Sequence, residues 1–161
     1  MSETDEVFVH GTAVALGPWG ILLRGKSGAG KSDLALRLIE RGAKLISDDQ
    51  VRLFLERGLV CGAAPETISG LMEVRGIGVV PMPVKKSAPI VLLLDLVGAE
   101  DVPRLPDAIA ETHFGLDLPV LKLFPFEASA PEKVKVALRS LLGEDSDLES
   151  SEPSNLSVIY P

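Results

Sequence analysis

Sulfur and aromatic chemistry are nearly missing from this chain, whose 161 residues include one cysteine, one tryptophan, one tyrosine and five phenylalanines. The lone Cys61 can form neither an internal disulfide nor a cysteine-based metal site, which suits a reducing compartment and leaves it as a small buried apolar residue. With aromatics at 4%, the core has to be built from aliphatic side chains, as in α/β proteins. Long hydrophobic runs are missing as well. The longest aliphatic stretch, residues 90–94, stops at Asp95 and falls far short of the roughly 20 residues that cross a bilayer, so it reads as a buried strand. The opening residues are acidic where a secretory leader is basic, and they lack the arginines of an organelle-targeting peptide, so a cytoplasmic location is expected. Positive charge is scarce too: the formal net charge of −7 argues against nucleic-acid binding.

The acidity is uneven. Glu144, Asp145, Asp147, Glu149 and Glu152 lie close together with no basic residue among them, so the body before them is nearly balanced. The expectation is one domain over residues 1–143 and a disordered acidic tail over 144–161, because serines, proline and few apolar positions cannot offset the entropy of ordering. Within the body, two apolar segments flank Gly17-Pro-Trp-Gly20 and suggest a hairpin whose second strand runs into a glycine-rich loop. Helical spacing follows over residues 31–41 and stops at Gly42. Strands are expected at 44–47, 51–55, 71–74, 77–80, 90–96 and 118–123, and a last helix opens at Pro131 and runs to Gly143 with Val134, Ala137, Leu138 and Leu141 as its apolar stripe. The pattern is a mixed, β-rich α/β domain carrying a P-loop rather than a doubly wound alternation.

Gly25-Lys26-Ser27-Gly28-Ala29-Gly30-Lys31-Ser32 fits G-x-x-x-x-G-K-[ST], after a strand and before a helix. Glycines let backbone N–H groups turn inward around an anion, the helix start adds positive dipole, Lys31 reaches the β and γ phosphates, and Ser32 can ligate Mg²⁺. A guanine-reading Asn-Lys-x-Asp motif is not present, and only Arg75, Arg104 and Arg139 follow residue 60, few for an arginine-rich lid. The adjacent pair Asp48-Asp49 at a strand end lies where a Walker-B-like acid is needed: one carboxylate for Mg²⁺ or its waters, the other to accept the proton of an attacking hydroxyl.

These features together resemble the HPr kinase/phosphorylase family. The residues that carry the likeness are His10-Gly11, the loop 25–32, the stretch 41–51, and above all Leu71-Met-Glu-Val-Arg-Gly-Ile-Gly-Val79, which looks like the family's own Glu-(Ile/Val)-Arg-Gly-x-Gly element. The resemblance covers residues 10–142 and implies a fold related to phosphoenolpyruvate carboxykinase. It assigns Lys31 to the ATP phosphates, Ser32 and Glu73 to Mg²⁺, and Asp49 to proton transfer with Asp48 beside it. It makes His10 an active-site histidine and Arg104 a match for a later catalytic arginine, and it sets Arg75, Gly76 and Gly78 beside the bound phosphates. The implied activity is transfer from ATP to a serine of HPr or a related phosphotransferase-system carrier, with no nucleic-acid or membrane partner and a hexamer in the family. Two departures stand out. The family's usual N-terminal domain is missing from this sequence, and its Arg-Pro-Gly-Arg-Asn-like segment, tied to dephosphorylation, is replaced near Pro119 by Val-Leu-Lys-Leu-Phe-Pro-Phe, which leaves phosphorylase activity open. A small-metabolite kinase and a noncatalytic ATP-sensing module are the competing readings.

Overall fold

The computed structural model describes residues 5–66 and 70–143; the expected acidic tail, 144–161, lies outside the described residues. Among the described residues, eleven strands, one short 3₁₀ turn and two helices follow in the order β1 (Glu6–His10), β2 (Thr12–Leu16), β3 (Trp19–Arg24), α1 (Lys31–Glu40), β4 (Lys44–Ser47), β5 (Gln50–Glu56), β6 (Leu59–Ala63), β7 (Leu71–Val74), β8 (Gly78–Pro81), β9 (Ser87–Leu96), the turn Ala99–Asp101, β10 (Ile109–His113), β11 (Leu116–Leu123) and α2 (Ala130–Leu142). The architecture is mixed, strand-rich α/β.

Nine strands join in one sheet. Its path is β1-β5-β6-β9-β3-β2-β4, with β11 added beside β9 and β10 beside β11. The ten residues of β9 form the spine: the first part pairs antiparallel with β6, the rest parallel with β3 on one side and with β11 on the other. Because β9 has neighbours on both edges and cores on both faces, its residues read as a continuous apolar run rather than an alternation.

Two apolar clusters fill the two faces. Ile21, Leu23, Leu92 and Leu94 pack under α1 and α2 against Leu34, Leu38, Val134 and Leu138. Leu22 and Leu93 point the other way and meet Val51, Leu53 and Val60 of the curled β5–β6 part of the sheet. The single-residue alternation of β3 between these clusters is the period-2 pleat of a strand covered on both sides.

The first apolar segment, expected to be one arm of a hairpin, divides at Gly11. Of its two halves, β2 pairs with β3 and β1 pairs with β5 instead. A Cβ at Gly11 would lie 2.8 Å from the Leu23 carbonyl oxygen, so only glycine lets the chain pass that close while it changes partners. The hairpin β7–β8 forms a separate two-stranded ribbon, attached through buried Met72 to the α1 side of the sheet. The strands β6 and β10 stood outside the sequence expectations. A short run such as Leu-Val-Cys-Gly-Ala lacks the alternation by which a strand is recognised.

Candidate active site

The parallel strands β3 and β9 pair Leu23 with Leu94 and Arg24 with Asp95, so both end at one edge of the sheet. On the other side of β3, β2 brings Thr12 opposite Leu23, and β4 brings Ser47 opposite Ala13. Four strand termini therefore converge where residues 25–30 leave β3 and enter α1. In open α/β sheets this carboxyl edge is where ligands bind.

The loop is tightly wound. The Ala29 N–H donates to the Lys26 carbonyl at 2.9 Å, and a Cβ at Gly25 would sit 2.9 Å from that of Ala29. Gly28 and Gly30 have φ of 83° and 104°, the left-handed region that favours glycine, and Gly30 is the N-cap of α1. Lys31 is buried, and its ammonium donates to the carbonyls of Gly25 and Lys26 at 2.7 and 3.0 Å. Lys26, Ser27 and Gly28 form the exposed lip.

Beside the loop, the two adjacent aspartates divide. Ser32 Oγ and Thr12 Oγ1 both donate to Asp48 Oδ1 at 2.9 Å. Asp48 Oδ2 accepts no hydrogen bond among the described residues. Asp49 faces outward with its carboxylate 3.5 Å from His10 Nδ1, and both side chains are exposed. Its φ of 70° is left-handed, a conformation aspartate tolerates better than most residues, and it turns the chain between β4 and β5 so that consecutive carboxylates serve different partners. Pairing of β1 with β5 sets His10 opposite Gln50, and the Gly11 N–H holds the Asp49 carbonyl at 3.1 Å.

The remaining expected residues stand apart in their contacts. Glu73 is exposed on β7, where the strand pleat turns it away from the core side taken by Met72. Arg75 and Gly76 lie in the exposed turn of the β7–β8 ribbon, Gly78 opens β8, and Arg104 is exposed between the 3₁₀ turn and β10. Among the described residues no ion pair or hydrogen bond holds Glu73, Arg75 or Arg104.

A charged network at the root of the loop escaped sequence reasoning. Arg24 pairs with both oxygens of Asp95, at 2.7 and 3.2 Å, and with Glu111 at 2.7 Å, while Glu111 also meets His113 Nε2 at 2.7 Å. Partial burial works to lower the Arg24 pKa, and the hydrogen bonds and charges of Glu111 and Asp95 more than reverse this, so the net shift is upward. The Arg24 hydrogen bond holds the Glu111 carboxyl below its usual range against the opposing effect of burial. Asp95 was visible as the acid that closes an aliphatic run, but its partner Arg24 lies 71 positions away from it in sequence, beyond any local pattern.

The HPr Serine kinase C-terminal domain model matches residues 2–100, more than half of the chain. The chain belongs to this family. Among the relatives of this HPr serine kinase domain, HPr kinase/phosphorylase of Geobacillus sp. is 47% identical over 75 residues, covering 46% of this chain and 24% of that protein. HPr kinase/phosphorylase of Lactobacillus acidophilus is 41% identical over 97 residues, covering 55% of this chain and 30% of that protein. The chain thus spans less than a third of the length of these curated relatives in the matched region. The solved HPr(Ser) kinase/phosphatase from Coxiella burnetii superposes with a TM-score of 0.73 at 27% identity, covering 83% of this chain and 89% of that one. The structural likeness therefore extends beyond the matched stretch of the family model and into β10, β11 or α2.

Proposed function

We propose that the chain is an ATP-dependent protein-serine kinase of the cytoplasm whose substrate is HPr or a related phosphocarrier. The observation that carries this reading is the hydrogen bond between Ser32 and Asp48 at the mouth of the loop 25–30, with the buried Lys31 ammonium inside the loop. A hydroxyl and a carboxylate with one unengaged oxygen are hard donors of the kind Mg²⁺ takes, usually one or two from protein and the rest from water and phosphate. Ser32 and Asp48 would hold Mg²⁺, with Glu73 as the acid assigned to it by family likeness, and the ion would neutralise charge on the β and γ phosphates.

The chain's own groups divide the work. Inward-facing N–H groups of residues 25–30 and the start of α1 hold the triphosphate, and Lys31 exchanges its carbonyl partners for phosphate oxygens. Asp49, exposed and beside His10, accepts the proton of the incoming serine hydroxyl as its oxygen bonds to the γ-phosphorus and the bond to the β-phosphate bridging oxygen breaks. Phosphorolysis, the activity left open by the replaced segment near Pro119, would be a separate reaction: an oxygen of inorganic phosphate bonds to the phosphoserine phosphorus, the serine oxygen leaves and takes its proton from the same carboxylate, and pyrophosphate is the other product. Arg75, Gly76, Gly78 and Arg104 stand on exposed segments suited to contact with a protein substrate or its phosphoryl group.

Incubation with Mg-ATP and purified carrier proteins, followed by intact-mass measurement and mapping of the modified residue, tests the proposal. One phosphoryl group on a carrier serine is expected. Turnover of ATP with a small metabolite and none with a carrier would replace it with the metabolite-kinase reading.

A further inference from the structure

Residues 124–129 leave β11, the parallel strand on the far side of β9 from β3, and so emerge at the same sheet edge as the loop 25–30. Here the chain buries Pro125 and leaves Phe126 57% exposed. A Cβ placed on Gly30 would lie 2.9 Å from Pro125 Cγ and 3.0 Å from Phe126 Cζ, so the ring stands against the last glycine before Lys31. The ring belongs to neither apolar cluster of the sheet. The backbone around it is nonetheless fixed: Arg37 of α1 donates through Nη1 to the Pro125 carbonyl and through Nη2 to the Glu127 carbonyl at 2.8 Å. Phe124 meets the Phe126 ring edge-on, with centroids 5.9 Å apart and planes at 74°.

We propose that Phe126 is the nucleobase platform of this site: the triphosphate of a nucleoside triphosphate lies in the loop 25–32 and its base stacks on the exposed part of the ring. The inference rests on the reading of that loop as a triphosphate cradle. Stacking uses the π-face that every base possesses and reads no hydrogen-bonding edge, so adenine and guanine nucleotides are held alike. Arg37 acts through the backbone of residues 125 and 127 and is a positioning residue for the ring.

Calorimetric titration of the wild type, Phe126→Ala and Phe126→Trp with ATP, GTP and inorganic triphosphate, all with Mg²⁺, tests it. Phe126→Ala is expected to weaken ATP and GTP about fivefold to a hundredfold and to leave inorganic triphosphate unchanged. Phe126→Trp keeps the nucleotide affinity, and its emission, over the constant background of fully buried Trp19, is quenched by ATP but not by triphosphate. If wild type and Phe126→Ala bind ATP alike while both bind triphosphate, the platform is overturned and the cradle stands. If the wild type binds neither ligand, the cradle fails and the platform with it. Unchanged nucleotide affinity with slower transfer to the carrier would assign the ring to the protein substrate and also overturn the platform.

Discussion

At the scale of single residues, the two aspartates that look equivalent in sequence have different surroundings, and their substitutions should separate. Asp49→Asn removes the proton acceptor and is expected to lower the transfer rate about a hundredfold to ten-thousandfold with ATP affinity intact. Asp48→Asn keeps a carbonyl oxygen for Ser32 and Thr12 but loses the charge, so the Mg²⁺ concentration needed for half-maximal rate should rise. Rate measured against Mg²⁺ concentration for both variants distinguishes these outcomes. Gly30→Ala should cost about 1–2 kcal/mol from its left-handed φ of 104° alone, and more from the Pro125 contact, read as a lowered denaturation midpoint. The loop glycines and the acid pair were legible in the sequence because their chemistry depends on neighbours along the chain. The different surroundings of Asp48 and Asp49 were not, since they arise from the left-handed turn at Asp49 and from the cross-strand positions of Thr12 and His10.

At the scale of elements, the connections that hold the site edge together join segments far apart in sequence. Arg37 joins α1 to residues 125 and 127 by hydrogen bonds from a charged donor, each worth about 1.5–3 kcal/mol in general. Arg37→Ala should therefore destabilise the protein measurably in urea titration and raise amide exchange in residues 124–129. The Arg24 network gives a pH prediction. Because Arg24 holds the folded Glu111 pKa below its ordinary 4.5, the stabilisation from this pair is fully present above that pH. It is lost as the pH falls through the folded value. Urea midpoints measured downward from neutral pH should fall more steeply below about pH 4.5 in the wild type than in Glu111→Gln. Both helices and the strands β3, β4, β5, β7 and β9 were readable from apolar spacing and from turn residues. The split of the first segment into β1 and β2 was not, because it depends on how near the backbone of Gly11 comes to that of Leu23.

At the scale of the whole molecule, one long strand with a core on each face unites the parts of the site. Leu93→Ala, at a fully buried position in the cluster opposite the helices, should cost about 2–5 kcal/mol in urea unfolding. Cys61 should resist thiol reagents until the protein unfolds, since burial pushes its pKa up to about 11. A mixed, β-rich sheet could be foreseen from turn-linked apolar segments. The strand order could not, because long-range pairing is chosen by the two apolar faces together rather than by any local signal.

The most direct test of the central claim is a single-turnover transfer from Mg-ATP to a carrier protein, followed by intact mass, with wild type and Asp49→Asn compared at saturating ATP. Phosphoserine on the carrier is expected with the wild type and almost none with Asp49→Asn, although both bind ATP equally. Equal transfer by the two proteins, or bound ATP with an unmodified carrier in both, would contradict it.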